Sequence, residues 1–147
     1  MAEIGQFMAK AIEEAKKSLP EDIPVGCVIV RDGKIIAAGH NTREIAHTST
    51  GHAEINAIEN ACKALGDWRL DGCQLYVTLE PCPMCAGAIR GSRLDAVYFG
   101  APDLNEGACG SVWNLLPENV KVYPFIRKDE CTAILQEFFQ QLRRSES

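Results

Sequence analysis

Residues 75–91 read LYVTLEPCPMCAGAIRG, so a short apolar strand pattern leads directly into a helix pattern. The run at 75–79 predicts a strand, and 81–91 predicts a helix whose first turn contains Cys82 and Cys85. Residues three apart on a helix lie on the same side, so both sulfur atoms face one point. The positive end of a helix also favours ionised thiols, the form that binds metal. The segment therefore predicts a pair of metal ligands at a helix start.

A third metal ligand is predicted at His52, where His52-Ala53-Glu54 begins an earlier helix. One imidazole and two thiolates suit zinc in size and softness, with iron as the runner-up. Three protein ligands leave a fourth position open, which distinguishes a catalytic zinc site from a structural one. The plainer interpretation is that His52 is a core or surface histidine and that the cysteines are structural, and it accounts less well for the two motifs together.

Glu54 is predicted to be catalytic, because it lies close enough to His52 to contact a zinc-bound water without being a ligand. Zinc lowers the pKa of a bound water from about 15.7 toward about 7, which gives hydroxide at neutral pH. Glu54 would take the proton from that water and pass it to a substrate ring nitrogen and then to the leaving amine. The pattern H-x-E with P-C-x-x-C is the signature of zinc-dependent base deaminases. A simpler role for Glu54, a first-turn carboxylate that complements the helix dipole, is compatible with catalysis.

The composition is that of one globular domain over residues 1–147, with 46% hydrophobic and 24% charged residues. No apolar run approaches the ~18 residues that span a bilayer, and the N-terminus has no secretory signal, so we expect no membrane association and a cytoplasmic location. Seven cysteines that include one C-x-x-C pair favour metal binding plus free buried thiols over disulfides. The net charge of −5 argues mildly against a nucleic-acid partner, although a local basic patch is compatible with it.

Hydrophobic periodicity and turn residues predict an alternation of helices and strands. The predicted helices are residues 3–18, 52–65, 81–91 and 129–144. The predicted strands are 25–30, 35–38, 75–79, 95–99 and 120–123, and 41–51 and 100–111 are predicted loops. The first two strands, joined by an Asp-Gly turn, form a hairpin. This order predicts an α/β fold with a mixed sheet that helices cover on both faces.

Longer stretches of the chain resemble the bacterial tRNA-specific adenosine deaminases, within the cytidine-deaminase-like superfamily. The similar segments are residues 23–30, 39–41, 68–70, 75–89, 99–101, 103, 107–111, 130–131 and 138–139. The zinc motifs alone mark only the superfamily, and the segments 107–111 and 138–139 narrow the resemblance. It implies a three-layer α/β/α cytidine deaminase-like fold with a central five-stranded mixed sheet, and a homodimer.

The resemblance also implies the activity. Adenosine becomes inosine at the wobble position of a tRNA anticodon loop, with one zinc ion per chain on His52, Cys82 and Cys85. Zinc-bound hydroxide attacks C6 of the base, and Glu54 shuttles protons. Four residues are implied in substrate binding: Asn41 hydrogen-bonds the flipped-out nucleotide, the Ala53 backbone lines the base pocket, Asp103 faces the ribose, and Phe139 packs near a neighbouring base. Asn41 and Asp103 also suit simple turns, and Phe138 and Phe139 also suit the core.

Some positions depart from the family pattern. Pro102 and Asn105 stand where the family often has basic residues, and Thr48-Ser49-Thr50-Gly51 replaces its usual loop before the histidine. The tRNA substrate is the first hypothesis, but fewer basic residues near Asp103 and an acidic chain motivate an alternative, a free nucleobase or nucleoside such as guanine, cytosine or adenosine. A second alternative is a zinc-bound module without catalysis. Glu54 argues against it, because a module without chemistry has no use for a carboxylate beside zinc.

Overall fold

A five-stranded mixed sheet forms the centre of the molecule in the computed structural model, which describes residues 2–146. The strand order is β2-β1-β3-β4-β5, and the strands are β1 (Gly26–Arg31), β2 (Lys34–His40), β3 (Cys73–Leu79), β4 (Ala96–Ala101) and β5 (Lys121–Tyr123). β1 is antiparallel to both β2 and β3, whereas β4 is parallel to both β3 and β5. The mixed sheet expected from the sequence is therefore confirmed.

Helices cover both faces of this sheet. They are α1 (Ala2–Ala15), α2 (Arg43–Ala46), α3 (Ala53–Leu65), α4 (Pro83–Gly91) and α5 (Lys128–Glu146). One buried cluster joins α3 and α4 to Cys27 and Ile29 of β1, and a second joins α1 and α5 to Val28 and Val30 of the same strand. Successive side chains of a strand point to opposite faces, so one apolar strand supplies both clusters. The result is the three-layer α/β/α architecture that the resemblance implies.

Close packing between α3 and β2 depends on Gly39. A Cβ atom at Gly39 would collide with the backbone nitrogen of Ala57 in α3 and would lie 2.7 Å from the Ala53 carbonyl oxygen. Because glycine has no side chain, the first turns of α3 rest directly on the strand. This contact determines where the start of α3, and with it His52, stands above the sheet.

Two local predictions differ from the structure. Residues 41–51, predicted as a loop, contain the short helix α2. A residue distant in sequence caps the start of this helix. The buried Asp22 carboxylate accepts hydrogen bonds from the backbone N–H groups of Glu44 at 2.8 Å and Ile45 at 3.2 Å. The helix predicted at 3–18 ends at Ala15 and continues as a 3-10 turn, Lys16–Ser18. Among the described residues, no helix has the length and hydrophobicity needed to cross a bilayer.

Candidate metal centre

The three predicted ligands come together where two helices begin. His52 is the residue before α3, and Cys82 is the residue before α4, with Cys85 in its first turn. The Nδ1 atom of His52 lies 3.5 Å from the Sγ atom of Cys82 and 3.4 Å from that of Cys85. All three ligand atoms lie within 4.8 Å of one another. Each helix start also directs its partial positive charge toward this point, which stabilises thiolates.

This cluster fits zinc. Tetrahedral ligands at about 2.3 Å for sulfur and about 2.0 Å for nitrogen stand about 3.5 Å apart, close to the separations between His52 and the two sulfurs. The pKa of Cys82 is lowered to about 4, chiefly by a hydrogen bond from Cys85, while that bond and burial raise the pKa of Cys85. The two sulfurs thus share a proton, and a divalent cation between them favours the ionised form of both.

Glu54 is buried and lies beside the metal ligands. A residue that carries protons to and from a metal-activated water requires such a position. Its side chain is only 4% exposed. Burial raises the pKa of Glu54 to about 7, against the opposing effects of a backbone hydrogen bond and the charge of His52. A carboxyl group with a pKa near neutrality both accepts and releases protons readily. The structure therefore places a suitable acid–base group at the metal cluster.

A cavity of about 250 Å³ opens onto the cluster. His52, Cys82 and Glu54 lie in its wall, and so do three residues predicted to bind substrate, Asn41, Ala53 and Asp103. Its volume lies just below the usual range of about 300–1,000 Å³ for small-molecule pockets, so it suits one small ring system. The apolar side chains in its lining are Ile23, Val25 and Leu79.

Phe139 lies in an adjoining cleft rather than in this cavity. That cleft, of about 430 Å³, also contains Phe138 and Leu142 of α5. It shares Asn41 and Arg43 with the cavity, so the two spaces are neighbours. The rings of Phe138 and Phe139 meet edge to face with their centres 5.3 Å apart. Phe139 therefore does not line the cavity at the metal cluster, but lies in the cleft beside it.

Asn41 and Asp103 both form turns while they line the cavity. The Asn41 side-chain amide donates to the Ile23 carbonyl oxygen at 3.2 Å, and its oxygen accepts from the Arg43 backbone N–H at 3.3 Å. The Oδ1 atom of Asp103 accepts from two backbone N–H groups of its own loop, both at 3.0 Å. The turn interpretation therefore holds for both residues, and their place in the cavity wall is compatible with it.

Glu80 and Arg43 also line the cavity, and the sequence motifs do not mark them as site residues. Arg43 was one of several basic residues in the sequence without a distinguishing local pattern. Glu80 immediately precedes the Pro-Cys motif, and nothing in its neighbours reveals that it is buried. Its role depends on contacts with residues more than twenty positions away.

A larger groove, of about 930 Å³, lies at the other end of the sheet. Gln74, Ala96 and Lys121, at the starts of three parallel strands, belong to it, whereas the metal cluster follows the carboxyl end of β3. Ligands of open α/β sheets bind outside the carboxyl ends of the strands. Within residues 2–146 the cluster of His52, Cys82 and Cys85 is also the one group of potential metal ligands found. The smaller cavity is therefore the candidate site.

Known proteins share both the motifs and the fold. Residues 1–101 match the family of the cytidine and deoxycytidylate deaminase zinc-binding region. A tRNA-specific adenosine deaminase of Bacillus subtilis (strain 168) is 48% identical over 144 residues, which cover 94% of this chain and 89% of the relative. A solved structure from studies of A-to-I editing by tRNA:A34 deaminases at the wobble position of transfer RNA is 40% identical. It has a TM-score of 0.83 and covers 88% of this chain and 99% of its own.

A guanine deaminase structure from Bacillus subtilis is also similar, with 45% identity and a TM-score of 0.63. That match covers 66% of this chain and 63% of the guanine deaminase, so it is less complete than the matches above. The matched zinc-binding region contains His52, Cys82 and Cys85, whose geometry fits one zinc ion, and it also contains Glu54. The chain belongs to the tRNA-specific adenosine deaminase family, within the wider zinc-binding family of cytidine and deoxycytidylate deaminases.

Proposed function

We propose that this protein hydrolyses adenosine to inosine at the wobble position of a tRNA anticodon loop. The observation that carries the proposal is the buried Glu54 beside the cluster of His52, Cys82 and Cys85, at a cavity sized for one small ring system. The relatives named tRNA-specific adenosine deaminase support the choice of substrate, because they match over nearly the whole chain. An anticodon loop is already partly single-stranded, which lowers the free energy needed to bring a base out of its stack.

In this mechanism His52, Cys82 and Cys85 hold one zinc ion. Zinc supplies Lewis acidity, which makes water a competent nucleophile at neutral pH. Glu54 would take one proton from the attacking water and pass it to a ring nitrogen of adenine as the new C–O bond forms. It would then take the second proton from the same oxygen and give it to the exocyclic amine, which leaves as ammonia when the C–N bond breaks. Its pKa of about 7 suits both directions of transfer. The apolar side chains of the cavity exclude bulk water from the carboxyl group, which keeps the protons on this route.

The surrounding residues would orient the nucleotide. The Ala53 backbone forms part of the base pocket, and Asn41, which also lines the cavity, hydrogen-bonds the nucleotide. Asp103 faces the ribose. Phe139, in the adjoining cleft, stacks on a neighbouring base, since aromatic rings bind splayed bases with about 1–3 kcal/mol each. The two neighbouring spaces support this arrangement, because one base in the cavity leaves the next one near the cleft.

The test compares matched substrates. The purified zinc-loaded protein is incubated with an anticodon stem-loop that carries adenosine at the wobble position, and with the same stem-loop in which that adenosine is moved one position along. Free adenosine, guanine and cytosine are tested in parallel, and products are separated by mass spectrometry. We expect inosine only in the first stem-loop. Deamination of a free base without any inosine in the stem-loop would overturn the proposal.

A second candidate is a guanine deaminase, which the partial match to the Bacillus subtilis enzyme favours. The acidic net charge of −5 also fits a small uncharged substrate better than a polyanion. This candidate predicts xanthine from free guanine and no reaction with the stem-loop. The assay above therefore separates the two candidates directly.

We also propose that residues 1–147 act as one domain and assemble as a cytoplasmic homodimer. One sheet carries both buried clusters, which supports a single domain. Large apolar side chains are exposed in the segment that follows Asp103, and exposed apolar patches often mark protein interfaces. These side chains are Leu104, Val112, Trp113 and Leu115.

Light scattering tests the dimer. Wild-type protein at micromolar concentration should show twice the mass of one chain, and Trp113→Glu should shift it toward the monomer. Ile35→Glu serves as the control, because Ile35 is comparably exposed in the β2 hairpin, outside the segment after Asp103. A wild-type monomer at this concentration would refute the assembly.

A further inference from the structure

We infer that Glu80 is a positioning residue that holds the wall loop, residues 102–111, in the conformation that places Asp103 in the cavity wall. This role rests on the proposed function, since Asp103 acts there on the ribose of the substrate. Glu80 follows β3 and precedes the ligand segment Pro81-Cys82, so it stands between the metal cluster and the loop. It is only 2% exposed.

The Glu80 carboxylate is saturated by donors from the wall loop. Its Oε1 atom accepts from the Asp103 backbone N–H at 3.1 Å and from the Ser111 hydroxyl. Its Oε2 atom accepts from the backbone N–H groups of Cys109 at 3.0 Å and Ser111 at 3.1 Å. A carboxylate offers about four lone-pair positions, so the loop fills them. Hydrogen bonds to an ionised acceptor are also stronger than those between neutral groups.

The wall loop is shaped to close on this carboxylate. At Gly107 a Cβ atom would lie 2.5 Å from Glu80 Cδ and 2.6 Å from Oε1. These separations are too short for a side chain, so only glycine allows the loop to pass so close to the acid. The loop therefore meets Glu80 at both ends, through Asp103 and Ser111, and also in its middle.

The restraint passes from Glu80 to the cavity through Asp103. Glu80 binds the Asp103 backbone, and Asp103 Oδ1 then accepts from the backbone N–H groups of Asn105 and Glu106, which turns the loop. Asp103 and Glu106 both line the cavity. The metal ligands, in contrast, are placed by the starts of α3 and α4. Loss of the Glu80 acceptor should therefore disturb substrate binding and leave the zinc site intact.

Glu80→Gln tests this role. The amide keeps the size of the side chain, but its NH2 group replaces one of the two accepting oxygens and would face the N–H donors of the loop. Four proteins are compared for KM and kcat on the anticodon stem-loop: wild type, Glu80→Gln, Asp103→Ala and the double variant. We expect Glu80→Gln to raise KM by about tenfold or more, with a smaller change in kcat and stoichiometric zinc. If Glu80 acts through Asp103, the double variant should bind no worse than Asp103→Ala alone.

Ser92→Ala is the control for general destabilisation. Ser92 is a buried residue at the far end of α4, and its hydroxyl donates to the Ala88 carbonyl oxygen at 2.8 Å. We expect this variant to lower Tm without changing KM. Additive losses in the double variant, unchanged KM in Glu80→Gln, or loss of zinc from folded Glu80→Gln would overturn the inference. If Glu80→Gln does not fold, Ser111→Ala takes its place in the comparison with Asp103→Ala and the double variant, because Ser111 is exposed. The same results for KM and zinc content would then support or overturn the inference.

Amide hydrogen exchange separates this inference from the proposed function. Glu80→Gln should accelerate exchange at Asp103, Cys109 and Ser111 relative to wild type, while amides in α3 keep their protection. This readout needs no substrate. If wild-type protein makes no inosine in the stem-loop, the proposed function fails, and the exchange result still decides whether Glu80 holds the loop. Unchanged exchange at these three amides would refute the restraint itself.

Discussion

Glu54 combines a buried carboxyl group with a place beside three metal ligands, and the two properties have different origins. Its position two residues after His52 follows from the order of the chain. Its pKa of about 7 follows mainly from burial, because the surrounding protein disfavours the charged form. The same residue would be an ordinary first-turn glutamate on an exposed helix. Its buried environment therefore supports the proton-carrying role proposed for it.

At the residue scale we expect Glu54→Gln to reduce kcat by about 10²–10⁴-fold, the usual contribution of a general acid–base group. The amide cannot carry the proton, yet it fits the same space. Zinc content should stay stoichiometric, since Glu54 is not a ligand. Glu59→Gln on the exposed side of the same helix is the control and should keep wild-type turnover. Steady-state kinetics with elemental analysis checks this, and full activity in Glu54→Gln would exclude the assigned role.

Arg43 is the basic side chain that lines both the cavity and the adjoining cleft, so it is placed to contact a phosphate group. We expect Arg43→Gln to weaken binding of the anticodon stem-loop and to reduce the salt dependence of log K by about one unit of slope. Arg69→Gln, exposed after α3, should change neither quantity. Binding is measured at several salt concentrations. Equal slopes for wild type and Arg43→Gln would rule out a phosphate contact there.

At the element scale, the starts of α3 and α4 matter more than any other part of the helices. Each brings its ligands to one point and directs its partial positive charge toward them. The spacing of Cys82 and Cys85 on one turn was readable from the sequence, because helical periodicity is a local property. The helix α2 was not, because the buried Asp22 carboxylate that caps it lies twenty-two residues before Glu44.

The contact between α3 and β2 at Gly39 can be tested by comparing an alanine substitution there with one at Gly87, which has open space around it. We expect Gly39→Ala to destabilise the protein strongly, because the new methyl group would meet the backbone of α3 at Ala57. Gly87→Ala in α4 should instead stabilise it by about 0.5–1 kcal/mol, since a Cβ there meets nothing within 4 Å and alanine favours helix. Urea denaturation gives both free energies of unfolding. Similar values for the two variants would contradict this packing.

At the scale of the whole molecule, the metal joins segments that are distant along the chain. His52 immediately precedes α3 and Cys82 immediately precedes α4, so a bound ion links the two helices only in the folded state. Any ligand that binds the folded form and not the unfolded one raises stability. The metal site therefore contributes to folding as well as to chemistry.

We expect removal of zinc with a chelator to lower Tm and added zinc to restore it. At free zinc of ~100 times Kd the stabilisation should be about 2.7 kcal/mol. Cys82→Ala should have the low Tm in both conditions, because one of the three ligands is lost. Cys62→Ala is the control thiol, on the α3 helix outside the ligand cluster. Thermal denaturation with and without chelator checks the effect, and a Tm unaffected by zinc would contradict the site.

Short sequence patterns were enough to predict the three metal ligands, the proposed acid–base residue Glu54 and the alternation of strands and helices. Each of these is encoded in short spacings, three residues for the cysteines, two for His52 and Glu54, and a period of two along strands. The sequence did not predict the rest of the cavity wall, including Glu80 and Arg43. The contacts of Glu80 with the loop at Asp103 and Ser111, and the position of Phe139 beside the cavity, join residues that are distant along the chain. Such contacts depend on how the layers pack, and no local pattern records them.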